Sequence, residues 1–330
     1  MTSKEISVSI LCLAYNHEKY IEECLNSLLS QKCNFNYEIL INDDASTDKT
    51  ASIIKKYENK YPDIIKPIYQ QENLYSKGTL ALDAILMSKA KGKYIALCEC
   101  DDKWIDENKL QLQYDALEQN VNCNLCVHNV LRIKEDGNST STGCVVDSIN
   151  EGVLSPVQLL SFTYHYNFQT SSYFMRTNKF KKLFIDNPKY KQLSAKGVGD
   201  IIYLLHFVSI GDSFYINKTM SAYRLGSESS TTTKWQNNID RVIEIDQAAI
   251  NVYAEFNNYT NHLYDQECNR IINKYEMMMY LHSKDYKTVS RSKYKKDLLD
   301  LGLDVYLICK IKASFPRISK FLCKVLKREY

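Results

Sequence analysis

The sequence predicts an α/β fold, an open and mostly parallel sheet with helices on both faces, followed by a helical region. Three observations lead there. Strand-like and helix-like runs alternate through the first hundred residues, the pattern of parallel strands joined by crossover helices. Several of the strand-like runs end in residues that carry chemistry: "AYN", "DDAS" and "ECDD". From about residue 236 onward the apolar residues keep helical spacing without a strand-like run.

The elements follow in order. "ISVSILCLA" (6–14) is apolar and β-branched, hence a strand, and "HEKYIEECLNSLLSQ" (17–31) sets Tyr20, Ile21, Cys24, Leu25, Leu28 and Leu29 at helical spacing. "YEILIND" (37–43) is a second strand. "STDKTASIIKKYENKY" (46–61) is a helix with Ser46 or Thr47 as its expected N-cap. "IIKPIYQ" (64–70) is a third strand, "GTLALDAILMSKAKG" (78–92) a helix closed by Gly92, and "KYIALCE" (93–99) the fourth strand. Beyond residue 120, "NLCVHNVLRIKEDG" (124–137) runs from a strand into a polar turn, and "FQTSSYFMR" (168–176) is strand-like. "GVGDIIYLLHFVSIG" (197–211) is a buried helix with Asp200 at its start, and "SFYINKTMSAYRLGSESSTTTKW" (213–235) is a strand followed by a hydroxyl-rich loop. This divides the chain into a domain of residues 1–230 and a helical region of 231–330.

Composition excludes some classes. With 330 residues, 45% hydrophobic and 25% charged, the chain can bury a full core, and a net charge of +3 makes no case for nucleic acid. No apolar run approaches the roughly 20 residues of a spanning helix, and "MTSKEISVSILCLAYNHEKY" carries no legible leader. The expectation is therefore a cytoplasmic location with reduced thiols. The 11 cysteines are scattered. The single CxxC, Cys123 and Cys126 with His128 nearby, lacks the second knuckle of a zinc site and reads as core.

Ligands of open parallel sheets bind beyond the carboxyl ends of the strands, and that is where the acids fall. The segments "VSILCLAYNHEKYIEECLNSLLSQ", "EILINDDASTDKTASII", "AKGKYIALCECDDKW" and "GDIIYLL…INKTMSAYR" together resemble a family 2 glycosyltransferase with the nucleotide-sugar-binding GT-A fold, of the kind acting in bacterial surface polysaccharide synthesis. The resemblance spans about residues 6–225 and is most specific in its first hundred.

It implies a nucleotide diphosphate sugar as donor and Mn²⁺ or Mg²⁺ as cofactor, since a divalent ion offsets the charge that grows on the departing diphosphate. Such hard ions take one or two carboxylates, with phosphate oxygens and water completing the shell. By the resemblance, Asp101 is the expected metal ligand, Glu99 stands in the place of the first acid of a DxD motif, and Asp102 lies between metal and sugar. As a plain acidic turn the same stretch would open a helix capped by Asp106. Asp43 or Asp44 would read a uracil base by accepting its N3–H, the sequence leaving the choice open. Ala14 and Tyr15 would cradle the nucleoside, although Tyr15 also suits a packed aromatic. Lys77 in "SKG" would face phosphate or simply solvent. Asp200 is the expected general base of an inverting transfer, or else a helix cap. Arg224 would contact the diphosphate or form an ordinary salt bridge. His165, among aromatics and hydroxyls, marks a candidate acceptor wall.

One departure stands out. Gly226 occupies the position where many relatives carry a metal-binding His. The segment "KIKASFPRISKFLCKVLKREY" (310–330) alternates apolar residues with seven Lys or Arg against one Glu. That pattern suits an anionic membrane surface, or a helix docked on its neighbours. The expected function is transfer of a sugar, from a UDP-linked donor, to a saccharide or lipid-linked saccharide acceptor. The alternative is a catalytically inactive, transferase-like membrane or partner-binding protein.

Overall fold

The computed structural model describes residues 5–75, 79–140, 149–164, 168–186, 196, 198–226 and 238–314. Lys77, His165 and residues 315–330 of the basic segment lie outside the described residues. The chain forms two compact units, Met1–Lys234 and Trp235–Tyr330.

The first unit is built on a nine-stranded mixed sheet. Its parallel part consists of β1 (Ile6–Ala14), β2 (Asn36–Asp43), β3 (Ile65–Tyr69) and β4 (Tyr94–Leu97) in the order β3-β2-β1-β4. The crossovers are α1 (Ile21–Leu29), α2 (Thr50–Lys60) and α3 (Thr79–Lys89). Then follow β5 (Lys103–Trp104), α4 (Lys109–Gln119), β6 (Leu125–Ile133), β7 (Gly152–Leu154), α5 (Pro156–Ser161), β8 (Phe174–Arg176), α6 (Thr177–Asp186), α7 (Gly199–Ile210) and β9 (Ser213–Arg224). β8 joins the parallel part to the rest by pairing antiparallel to both β4 and β6.

Period-2 alternation in β1 decides which helices cover which face. Val8, Ile10, Cys12 and Ala14 share a core with Cys24, Leu25 and Leu28 of α1, Ile54 of α2 and Leu110 of α4. Leu11 and Leu13 point the other way, toward Asp83 of α3 and Asp200 and Tyr203 of α7. The acidic pocket described below lies on this second face.

Gly92 does not close a helix. α3 ends at Lys89, and Gly92 lies where two backbones nearly touch. A Cβ there would sit 2.4 Å from Ser9 N and 2.6 Å from Val8 C. The approach is locked by buried Glu38, which accepts from Ser9 Oγ at 2.7 Å and from Lys91 N at 2.9 Å, while Gly92 N donates to Ser9 Oγ at 2.9 Å.

The second unit is helical: α8 (Ile239–Tyr259), α9 (Asp265–His282), α10 (Tyr286–Val289), α11 (Lys295–Leu301) and α12 (Leu303–Ser314). Asn238 caps α8 by accepting from Arg241 N, and His282 pairs with buried Asp246 at 2.8 Å. Leu298 and Cys309 pack with Met277, Val289 and Tyr294 in a small core of its own. No helix among the described residues is long and apolar enough to cross a membrane.

Because the atoms facing Gly92 are backbone, they have no rotamer by which to yield. Gly92→Ala is expected to destabilise the first unit by about 1–3 kcal/mol, read as a lower urea midpoint with an unchanged slope.

Candidate active site

The sheet's alternation carries on past β4. Cys98 and Cys100 are buried, whereas Glu99 opens to water and Asp101 is half-buried. Cys98 N donates to Leu11 O at 3.1 Å and Cys100 N to Leu13 O at 3.0 Å, so the acids ride on an extension of the strand alongside β1. Under them the thiols of Cys24 and Cys98 touch at 3.9 Å. Asp102 N then turns back to Glu99 O at 3.0 Å.

Asp102 is not poised between metal and sugar. It is buried, and its Oδ1 accepts from the backbone N of Arg224 at 2.9 Å. Burial and the neighbouring Asp101 push its carboxyl well above the usual range, against the lowering hydrogen bond from Arg224. Arg224 departs from its expected phosphate contact for a related reason. Its Nε donates to Asp101 O at 2.9 Å, one terminal nitrogen to Glu135 O at 2.8 Å and the other to Glu23 Oε2 at 2.6 Å. The guanidinium also lies over the Tyr20 ring, 4.7 Å from its centroid. All three nitrogens are spent on protein, and only 3% of the residue is exposed.

The second signature splits into two roles. Asp44 is consumed structurally: its carboxylate accepts from Leu74 N at 2.7 Å and Tyr75 N at 3.0 Å, and its own N–H donates to Ala14 O. Asp43 is buried as well, but its Oδ1 has no hydrogen-bond partner. Burial raises its carboxyl, against lowering hydrogen bonds from Ser46. Ala14 is buried and Tyr15 half-buried at the end of β1.

Ser46 and Thr47 do not cap α2, whose first residue is Thr50 and whose N-cap, Lys49, makes no side-chain cap. They bind the β1–α1 loop instead. Asn16 N donates to Ser46 Oγ at 2.9 Å and Asn16 Oδ1 accepts from Thr47 N at 2.8 Å. Glu18 N donates to Asp48 Oδ2 at 3.0 Å, and Lys49 N to Glu18 Oε2 at 2.9 Å. Asn16 and Ala45, at φ 55° and 58°, take the left-handed conformation that this reciprocal clasp requires. Asp106 likewise is no cap: α4 begins after Asn108, and Asp106 pairs with Lys218 at 2.5 Å.

Asp200 sits in the first turn of α7, whose N-cap Val198 makes no side-chain hydrogen bond. It is half-buried and shares a pocket with Glu99, Thr170, Tyr203 and Asp83. Asp83 went unnoticed in the sequence, where its only mark is an acid in the apolar run "LALDAILM". It is buried and accepts a hydrogen bond from Tyr203 Oη. Burial and the charge of Asp200 push its carboxyl up to about 8. Burial alone raises Asp200 to about 6. At Glu99 the surrounding protein, then Asp101, Asp200, Asp102 and Asp83, hold the carboxyl well above its ordinary range although water reaches it from the cleft. No described Lys or Arg pairs with Glu99, Asp83 or Asp200. Gly226 turns the chain away after β9 at φ 83°.

Among the described residues no group of three or more His, Cys, Asp or Glu is arranged to hold a metal alone. Glu99 and Asp101 are two hard-oxygen donors close enough that the charge of Asp101 raises the carboxyl of Glu99. That fits an ion whose remaining ligands come from a diphosphate and water.

Comparison with known proteins identifies the family. The model of the glycosyl transferase family 2 matches residues 9–184, more than half of the chain. The chain belongs to glycosyl transferase family 2. An uncharacterised Mycobacterium tuberculosis protein is 42% identical over 130 residues, 39% of this chain and 37% of that protein. The matched stretch thus spans little more than a third of this relative's length. The putative teichuronic acid biosynthesis glycosyltransferase TuaG of Bacillus subtilis is 34% identical over 117 residues, 36% of this chain and 44% of TuaG. Residues 1–349 of TarS from S. aureus, solved with UDP-GlcNAc, superpose with a TM-score of 0.61 at 16% identity, covering 93% of this chain and 91% of that one. The family 2 fold here is therefore GT-A, with a helical region after it.

Family 2 membership leaves the unexpected Asp83 to be tested as a buried acid. In the folded chain it keeps its proton up to about 8, whereas the unfolded value is 3.8. Its contribution to stability is therefore full below 3.8 and lost as pH rises through about 8. Asp83→Asn retains an acceptor for Tyr203 and removes that loss. Urea unfolding at pH 5, 7 and 9 should show a smaller fall in stability with pH for the variant than for the parent chain.

Proposed function

We propose that this chain transfers a sugar, with inversion, from a UDP-sugar to a saccharide or lipid-linked saccharide acceptor in surface polysaccharide synthesis, and that the transfer depends on Mn²⁺ or Mg²⁺. The observation that carries the reading is an orphaned Asp43 oxygen at the end of β2, and Glu99, just beyond β4, sharing a pocket with half-buried Asp200 in the first turn of α7. The UDP-GlcNAc complex of TarS supports the donor class. The acceptor class rests on relatives: WfaP of Escherichia coli, 40% identical over 98 residues, is named as acting on a diphosphoundecaprenol-linked sugar.

Each residue then has a task. Asp43 Oδ1 accepts the N3–H of uracil, a proton that cytosine lacks, and Asp44 holds the 74–75 loop beside it. Ala14 and Tyr15 line the nucleoside's side of the cleft. When bound, a divalent ion held by Asp101 and Glu99 neutralises charge on the diphosphate. Asp200 removes the proton of the attacking acceptor hydroxyl. The new bond forms from that oxygen to the anomeric carbon while the bond to the phosphate oxygen breaks, and the electron pair leaves with the diphosphate. A base and a leaving group on opposite sides of the sugar invert the anomeric centre. A carboxyl lifted to about 6 is a stronger base than a free aspartate and is still ionised at neutral pH.

The chemistry is assigned to residues 1–230. Residues 231–330 we assign to contact with acceptor and membrane, on the inner face of the plasma membrane. Leu303, Leu307 and Ile311 support this by forming an exposed apolar stripe on α12, just ahead of the basic residues of 315–330.

Calorimetric titration with UDP, with and without Mn²⁺, tests the donor and the ion together. Asp101→Asn is expected to abolish both Mn²⁺-dependent UDP binding and transfer. Asp200→Asn should bind UDP normally and lose about 10²–10⁴-fold in turnover. For the parent chain kcat should rise with pH through about 6, as the base loses its proton. Full turnover by Asp200→Asn would remove the base from the scheme.

A further inference from the structure

The pocket beside Asp200 holds a hydroxyl with nothing to bind. Thr170 is only 6% exposed and lines that pocket with Asp83, Glu99, Asp200 and Tyr203. Its carbonyl accepts from Tyr173 N at 2.9 Å, but among the described residues its Oγ1 makes no hydrogen bond. That oxygen is not sealed off, as the orphaned Asp43 Oδ1 is, and so opens onto the space the residue lines. The next two hydroxyls are both engaged: Ser171 Oγ meets Ser221 Oγ at 3.0 Å, and Ser172 Oγ donates to Gln169 O at 2.7 Å. A buried hydroxyl without a partner costs free energy, which a ligand of matching chemistry recovers.

The turn that carries Thr170 is held from behind. Fully buried Gln113 of α4 donates from Nε2 to Ser172 O at 2.8 Å and to Cys126 O at 3.3 Å, and its Oε1 accepts from Lys109 Nζ at 2.6 Å. Lys109 is itself fully buried, with Nζ 3.9 Å from the centroid of the Trp104 ring. Leu97 N donates to Tyr173 O at 3.2 Å, which ties the turn to the strand that leads to Glu99. A hydroxyl on backbone fixed this firmly is set in advance for its ligand. The open space is about 20 Å³, room for one water-sized group and not for a ring. Leu11, Leu13 and Leu97 make its walls apolar, and Tyr203 Oη is spent on Asp83.

We propose that Thr170 hydrogen-bonds one hydroxyl of the sugar being transferred, and so is a specificity-determining residue for the donor. The proposal rests on the transferase reading above. With the diphosphate bound beside Glu99 and the base at Asp200, the sugar lies between them, across the mouth of this pocket. One of its hydroxyls then drops into the space that Thr170 lines. A donor without that hydroxyl leaves Thr170 buried and unpaired, and the site selects against it.

The test is calorimetry on the full chain with Mn²⁺, using UDP, UDP-glucose, UDP-galactose and UDP-GlcNAc. The parent chain should bind at least one of the three sugar nucleotides more tightly than UDP. Thr170→Val keeps the side chain's shape and removes its hydroxyl. In it the Kd of that sugar nucleotide should rise about 3–10-fold, with UDP binding and Tm unchanged, and Thr170→Ser should restore the parent value. Deoxy analogues of the same donor identify the hydroxyl. One of them should lose the same factor on the parent chain and nothing further on Thr170→Val. An unchanged sugar-nucleotide Kd in Thr170→Val would overturn the proposal. So would a parent chain that binds every deoxy analogue as tightly as the full donor, a measurement that decides even if the variant does not fold. A parent chain that binds no sugar nucleotide better than UDP overturns it as well. No binding of UDP itself would be a different failure, that of the donor reading, and would take this inference with it.

Discussion

Arg224 joins four parts of the first unit that are distant in sequence. Its backbone N–H holds Asp102, its Nε holds the carbonyl of Asp101, and its terminal nitrogens reach Glu23 of α1 and the turn after β6. Taking a guanidinium out of water costs several kcal/mol unless its donors are met, and here every nitrogen is met. The result is a rigid seat for a loop that would otherwise fly apart. Glu99, Asp101 and Asp102 repel one another, and nothing cationic in the described structure meets Glu99 directly. Arg224 holds the loop by the Asp101 carbonyl and by Asp102, without touching the side chain of Glu99.

The β1–α1 and β2–α2 loops obey a similar logic without a charge at the centre. Backbone donors at 16 and 18 meet side chains at 46 and 48, while the side chains of Asn16 and Glu18 meet backbone donors at 47 and 49. Each loop supplies acceptors for backbone donors of the other that lie ahead of the helices, while Asp48 Oδ1 accepts from Thr50 N, the first N–H of α2, at 2.8 Å. This exchange ties the loop after β1 and the loop after Asp43 into one framework.

Much of this was legible in the chain itself. The strand ends could be read because burial on both faces makes parallel strands near-continuous apolar runs, and an acid then marks where a strand leaves the core. Glu99, Asp101 and Asp43 stand out by that mark, and Asp200 by opening an otherwise apolar helix. The errors share one cause: a side chain's partner can be far away in sequence. Asp102 and Arg224 are 122 residues apart, so local spacing could not show that they neutralise each other's availability. Ser46 and Thr47 read as caps because capping is the local use of a hydroxyl before a helix, whereas the long-range clasp won. Gly92 read as a helix stop, and the actual constraint is the backbone of β1 lying against it. Asp83 gave no local signal beyond being a polar residue in an ordinary helix context.

The pocket acids show why such a site is under strain before it binds anything. Asp83, Glu99 and Asp200 share a small space with hydrophobic walls from Leu11, Leu13 and Leu97. Three carboxylates there cannot all hold full charge, because each lost proton raises the cost of the next. A core of apolar residues in the same space would be more stable. The chain keeps the acids and distributes their protons instead: Asp83 stays protonated near neutrality and donates no charge, while Asp200, nearer the opening, ionises first. Burial depth thus sorts chemically identical side chains into different duties. A neutral Asp83 lets Asp200 ionise below neutral pH, since a second buried charge beside it would push its own proton affinity higher still.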